Sequence, residues 1–207
     1  VGGNIKLGSN ASTRQSVRGR LTIKNATVTA ANYAAMGQNG PTDGGDRETL
    51  MNEIVLGPGA LLKTERFVRN DDPRGRITFD GGTFETTKTG SQTFYTAQNG
   101  VLEVVPTAGN DINLNIGSFD AAMTYNHTHV FGDGGLHVKG LQGGGGTFTL
   151  GAKGLSDFTL DYRGATTIED CTLRLDVPLP AATTVTGTRA TLFLNDVTIT
   201  NNVVGDV

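Results

Sequence analysis

Apolar side chains at every second position, in short runs broken by Gly, Asn or Asp, recur along most of this chain. The stretch from Gly143 to Leu175, GGGGTFTLGAKGLSDFTLDYRGATTIEDCTLRL, shows the pattern most plainly. Such alternation is the mark of a strand with one buried face, and the turn residues between runs keep each strand to a few residues. A chain written this way forms many short strands, and the persistence of the apolar rhythm argues against disorder.

The strand candidates are 20–30, 52–65, 76–87, 93–105, 112–116, 129–140, 147–162, 166–177 and 190–200. One short helix is expected over 46–54, DRETLMNEI, with Asp46 as its N-cap. A turn residue followed by alternation returns as GALLK (59–63), GTFET (82–86), GVLEV (100–104), GLHVK (135–139), DFTLD (157–161) and DVTIT (196–200). The copies are commonly about two dozen residues apart, the length of one solenoid coil. Hairpins in a sandwich or barrel would produce the same units, so alternation alone leaves both architectures open.

Composition favours the solenoid. The chain has 207 residues with 30 Gly, 30 Thr, no Trp and 36% hydrophobic residues. That is lean for a compact core and suited to a thin, elongated one. We read 1–207 as one β-solenoid domain and a fragment of a longer protein, with 31–52 as a loop excursion that interrupts the strand rhythm. About nine coils would span about 45 Å along the axis. Net charge is −3, split as 11 Lys/Arg against 7 Asp/Glu in 1–76 and 6 against 13 in 77–207. No basic stripe is interleaved with aromatics, so no nucleic-acid partner is expected. No apolar run approaches the roughly 18 residues of a membrane helix, so this segment is not expected to insert into a membrane. The lone Cys171, in TIEDCTLRL, reads as a small buried strand residue.

Several blocks occur in an order that resembles a known family. They are ITFDGGTFE (77–85), NGVLEVVPTAGNDINLNI (99–116), FGDGGLHVKGLQGGGGTFTL (131–150) and RGATTIEDCTLRL (163–175). Together they look like the autotransporter-associated β-strand repeat. Three matches carry most of the likeness: Gly134-Gly135-Leu136-His137-Val138-Lys139-Gly140, Gly146-Thr147-Phe148-Thr149-Leu150 and Tyr162-Arg163-Gly164-Ala165-Thr166-Thr167. Departures are the long gap between Lys139 and Thr147, Cys171 where the family has Gly, and GLSDF where Asn-Thr is common. The resemblance covers roughly residues 20–180. It implies an all-β, right-handed parallel β-helix in the passenger of a secreted or surface-displayed bacterial protein.

Few residues look chemical. His127, His129 and His137 are the only histidines. A His-x-His pair on a strand sets both rings on one face, where they could clamp a transition metal; solvent-facing histidines are the competing reading. In RNDDPRGR (69–76), Arg69, Asp71 and Asp72 are binding candidates, and adjacent carboxylates suit calcium or acid–base work. The arginines can equally neutralise those acids in a simple turn. No catalytic constellation and no cofactor are expected. The functional expectation is a stalk or adhesive scaffold, extracellular or at the bacterial cell surface and tied to the outer membrane through parts outside this segment. Its expected partners are neighbouring repeats and glycans or host-surface molecules. The rivals are a non-catalytic carbohydrate-binding module and a polysaccharide lyase or hydrolase built on a β-helix.

Overall fold

The structure is a computed structural model that describes residues 5–7, 19–31, 33–36, 52–70, 74–87, 92–93, 95–97, 101–117, 120–124, 126–141, 145–181 and 183–207. Among these there is no helix. The chain winds through three faces in turn, and each strand pairs in parallel with its counterpart one coil on.

The opening segment adds β1 (Ile5–Leu7) to the third face. The next coils run β2 (Arg20–Ile23), β3 (Thr27–Thr29), β4 (Tyr33–Met36), then β5 (Asn52–Leu56), β6 (Leu61–Thr64), β7 (Arg66–Asn70). The following coil has β8 (Arg74–Phe79), β9 (Thr83–Thr86), and a third face divided between β10 (Gln92–Thr93) and β11 (Tyr95–Ala97). Three regular coils follow: β12 (Val101–Pro106), β13 (Ile112–Ile116), β14 (Ala121–Met123); β15 (Thr128–Gly132), β16 (Leu136–Gly140), β17 (Thr147–Leu150); β18 (Phe158–Tyr162), β19 (Thr166–Glu169), β20 (Thr172–Leu175). The stack finishes with β21 (Thr184–Thr188), β22 (Thr191–Leu194) and β23 (Asn202–Gly205).

The first face is the six-stranded sheet β2-β5-β8-β12-β15-β18, and the second the eight-stranded sheet β3-β6-β9-β13-β16-β19-β21-β23. The third face comes in two sheets, β1-β4-β7-β11 and β10-β14-β17-β20-β22. All pairings are parallel, which makes this a parallel β-helix. The hand expected of such parallel crossovers is right. Eight strands at the inter-strand spacing give a longest face of about 34 Å, shorter than the span expected from the sequence.

Alternation builds the core as columns. Inward residues of successive coils stack in register: Ile54, Ile77, Val104 and Val130 on the first face; Leu62, Phe84, Leu114, Val138 and Ile168 on the second. All nine are buried. Alternation turns Leu150, Phe158, Leu160, Ile168 and Leu173 inward; Leu150, Ile168 and Leu173 are buried, whereas Phe158 and Leu160 are only partly covered. The reason is position: both point to the core from β18, the edge strand of its sheet.

Corners are held from coil to coil by Asx side chains. Asp111 accepts from the Gly135 amide (2.8 Å), Asp120 from Thr147 (2.9 Å) and Asn126 from Asp157 (2.8 Å). Glycine has two separate duties here. Gly59, Gly81 and Gly109 take positive φ (64°, 90°, 76°). Gly134 instead admits backbone: a Cβ there would lie 1.7 Å from the Asn110 carbonyl oxygen.

Two expectations are corrected. Residues 52–54, placed in the short helix, belong to β5, because Ile54 is needed in a first-face core column; 46–51 lie outside the described residues. The excursion assigned to 31–52 loses its flanks, since Tyr33–Met36 is β4, with Ala34 and Met36 buried, and Asn52 opens β5. The remainder, 37–51, lies outside the described residues.

Candidate functional site

The outward residues of the first two faces also stack, and many of them are charged. On the first face register aligns Arg20, Glu53, Arg76, Glu103 and His129. Arg20 Nε lies 3.1 Å from Glu53, and Arg76 donates to Glu103 through Nε at 2.7 Å. Glu53 also accepts from the Thr78 hydroxyl (2.9 Å). On the second face Lys63 pairs with Glu85 (2.7 Å) and Lys139 with Glu169 (2.7 Å). Glu103 is 4% exposed although it faces outward, with the Arg76 guanidinium of the preceding coil bound to its carboxylate.

The three histidines fall into this scheme. On either side of the buried Thr128, the His127 and His129 side chains are 46% and 33% exposed. His127 precedes β15 with φ 63°, so the pair is not two positions of one extended strand. Both rings meet Asp157, which the next coil delivers. His127 Nδ1 hydrogen-bonds Asp157 Oδ2, and since an ionised carboxylate only accepts, Nδ1 carries the proton. His129 Nε2 approaches Asp157 Oδ1 at 3.2 Å, near enough for charge attraction but off the line of a hydrogen bond. His137 Nε2 stands likewise 3.3 Å from Glu169.

The His127 hydrogen bond, with the nearby His129 charge, holds the Asp157 carboxyl below its ordinary range. Lys139 is the main cause of the same shift at Glu169, with His137 adding to it. Asp170, bound by the Arg189 guanidinium (2.5 and 2.8 Å), is lowered too. Burial pushes the Cys171 thiol up to about 11, far from a nucleophilic thiolate.

The metal candidates His127 and His129 are thus brought together, but around a carboxylate that each of them engages. Among the described residues no group of three or more His, Cys, Asp or Glu is arranged to hold a metal ion. Arg69 lies in β7 at the register position of Ala35 and Thr96, while Asp71 and Asp72 lie outside the described residues. The acids of the Asp-Gly-Gly stretches at 80–82 and 133–135 are engaged. Asp80 accepts from the Thr107 hydroxyl (2.9 Å), and Asp133 from Arg163 Nη1 (2.9 Å).

The residues that sequence reasoning missed are Asp157 and Glu169. One signal was available: the coil step. Thirty residues separate His129 from Thr159, and His137 from Thr167, at their register positions, which places a carboxylate beside each histidine one coil later.

No family model, no curated protein and no solved structure matches the chain. The stacked parallel sheets show the β-helix, and the family resemblance rests on the motif blocks alone. No helix among the described residues is long and apolar enough to cross a membrane.

Proposed function

We propose that the chain is a structural segment of a secreted or surface-displayed bacterial protein. It serves as a stalk or adhesive scaffold of the autotransporter-associated β-strand-repeat type. The observation that supports this reading is the destination of the outward charges. Arg20–Glu53, Arg76–Glu103, Lys63–Glu85, Lys139–Glu169 and His127–Asp157 each join one coil to the next. An enzyme of this architecture needs acid, base and substrate-positioning cations converging on one point of an exposed face. Here the same side chains are spread along the axis as ties, which suits a molecule whose task is to hold its shape while displaying something.

The test is a turnover assay on acidic and neutral polysaccharides, reading reducing ends and unsaturated products, with and without calcium. The expected result is no product. Activity that co-purifies with the chain and disappears in His127→Ala or Asp157→Asn would refute the scaffold reading. Glycan binding without cleavage, seen on a glycan array, would transfer the proposal to the carbohydrate-binding class.

A further inference from the structure

The ties between the earlier coils use cations that stay charged at every ordinary pH: Arg20 on Glu53, Arg76 on Glu103 and Lys63 on Glu85. One later joint differs. The chain has three histidines, and all three lie on a single coil: His127 just before β15, His129 in β15 and His137 in β16. Each faces an acid of the following coil, either Asp157, just before β18, or Glu169, at the end of β19.

The ring atoms that face the acids fix where the protons sit. His127 Nδ1 donates to Asp157, which leaves Nε2 to take up a proton in acid. His129 Nε2 lies 3.2 Å from Asp157 and His137 Nε2 lies 3.3 Å from Glu169, and both nitrogens are buried without a hydrogen bond. A bare ring lone pair at that distance would face the lone pairs of the carboxylate. Both Nε2 atoms therefore carry hydrogen, and Nδ1 is the atom that takes up the proton.

The surroundings decide what that proton does. Glu103 of β12 is the register partner of His129, and Arg76 is bound to it. On the other side β18 sets Thr159 against His129 and the exposed Asp161 against Phe131. His137 lies between Asn113 of β13 and Thr167 of β19, with Lys139 further along β16 bound to Glu169. Asp111, just before β13, accepts from the Gly135 amide, and the Asp133–Arg163 pair at the corner adds no net charge. The charges around the rings are thus Asp111, Asp157, Asp161, Glu103 and Glu169 against Arg76 and Lys139. An imidazolium formed there meets a net negative surrounding, and an acid that the unfolded chain does not hold beside it.

We propose that the joint between the β15–β17 coil and the β18–β20 coil is a mild-acid clasp, which tightens when His127, His129 and His137 take up protons. The sign follows from linkage. A proton held better by the folded joint than by the unfolded chain adds stability as pH falls through the histidine range, and that stability is lost as pH rises through it. The clasp has a lower limit, because Asp157 and Glu169 give up their own charge below about pH 4. The coils from β18 onward are therefore held hardest in mildly acidic surroundings. The clasp rests on this geometry and not on the scaffold reading.

The first test is the melting temperature of the whole chain between pH 8 and pH 5 at low NaCl. The expected result is a rise of a few degrees as pH falls. His127→Gln/His129→Gln/His137→Gln leaves the chain without a histidine and keeps every other titrating group, so it should lose that rise. Histidine ring signals followed by NMR give a second readout. Their titration midpoints should move toward acid in Asp157→Asn/Glu169→Gln relative to the wild type. A wild-type melting temperature that is constant or falls between pH 8 and pH 5 overturns the proposal without recourse to any variant. So does a histidine-free variant that follows the wild-type profile, or ring midpoints that stay in place when the two acids are neutralised.

Discussion

Leu173 is where the column description of the core is most exposed to test. It is fully buried in β20, stacked between Phe148 of the preceding coil and Leu192 of the next. Leu173→Ala removes three carbons from that position. At about 0.8 kcal/mol per buried methylene the transfer loss is about 2.4 kcal/mol. The flanking coils are pinned by their own ladders and cannot collapse into the gap, so a cavity contribution raises the cost to about 3–4 kcal/mol. Leu192→Ala acts in the same column one coil further out, where the side chain is already partly wet. Its cost should be about 1 kcal/mol. Urea unfolding followed by far-UV circular dichroism measures both, and native-state hydrogen exchange should show the loss concentrated in β17, β20 and β22. Leu173→Asp, which buries an unpaired charge, should prevent the late coils from ordering. Equal costs at Leu173 and Leu192, or a Leu173→Ala variant as stable as the parent, would refute the column description.

Acid should loosen the late coils. Asp157 and Glu169 are more acidic in the folded chain than ordinarily, so their contribution is complete above the unfolded carboxylate value. It is lost as pH falls through the lowered folded one, below about pH 4. Asp157→Asn/Glu169→Gln should lower stability at neutral pH and flatten the acid limb of melting temperature against pH; an unchanged limb contradicts the pairing. Cys171, with its thiol pushed up to about 11, should resist a disulfide reagent at pH 8 and react fully in denaturant. Rapid labelling of the native chain would place it elsewhere. Gly134→Ala should cost at least about 3 kcal/mol, because its methyl meets the Asn110 backbone. Gly109→Ala, with φ 76° and open space around it, should cost only about 1 kcal/mol of backbone strain.

What could be read in advance followed from local geometry. LHVKG, TFTL and TTIEDCTLRL declare their inward residues by alternation, and β16, β17, β19 and β20 bury Leu136, Val138, Phe148, Leu150, Ile168, Leu173 and Leu175 accordingly. Alternation is blind to the partner strand, however. The run 147–162 looks like one strand-turn-strand unit, yet β17 and β18 lie on different faces and each pairs a coil away. Partial burial of Phe158 and Leu160 likewise depends on which strand is an edge, a property of the stack and not of the residues. The histidine environment was hidden for the same reason. His127 and His129 are neighbours in sequence and easily noticed, but what they do is decided by Asp157, thirty residues from His127 and adjacent only through the register. The helix expected over 46–54 failed at 52–54 because local capping preference is weaker than the burial available to Ile54 in a column.

The central claim is that each residue stacks on its counterpart one coil later, in parallel. Thr167 and Thr186 test it most directly. They are register partners on the outer surface of the second face, nineteen positions apart in sequence with hydroxyls 3.1 Å apart. In a Cys171→Ala background, Thr167→Cys/Thr186→Cys should oxidise to a disulfide quantitatively, since adjacent parallel strands place Cα atoms about 4.8 Å apart. Thr167→Cys/Thr188→Cys, displaced by two residues along the strand, should not. Cross-linking of the second pair, or of neither, would contradict the parallel register on which the whole account depends.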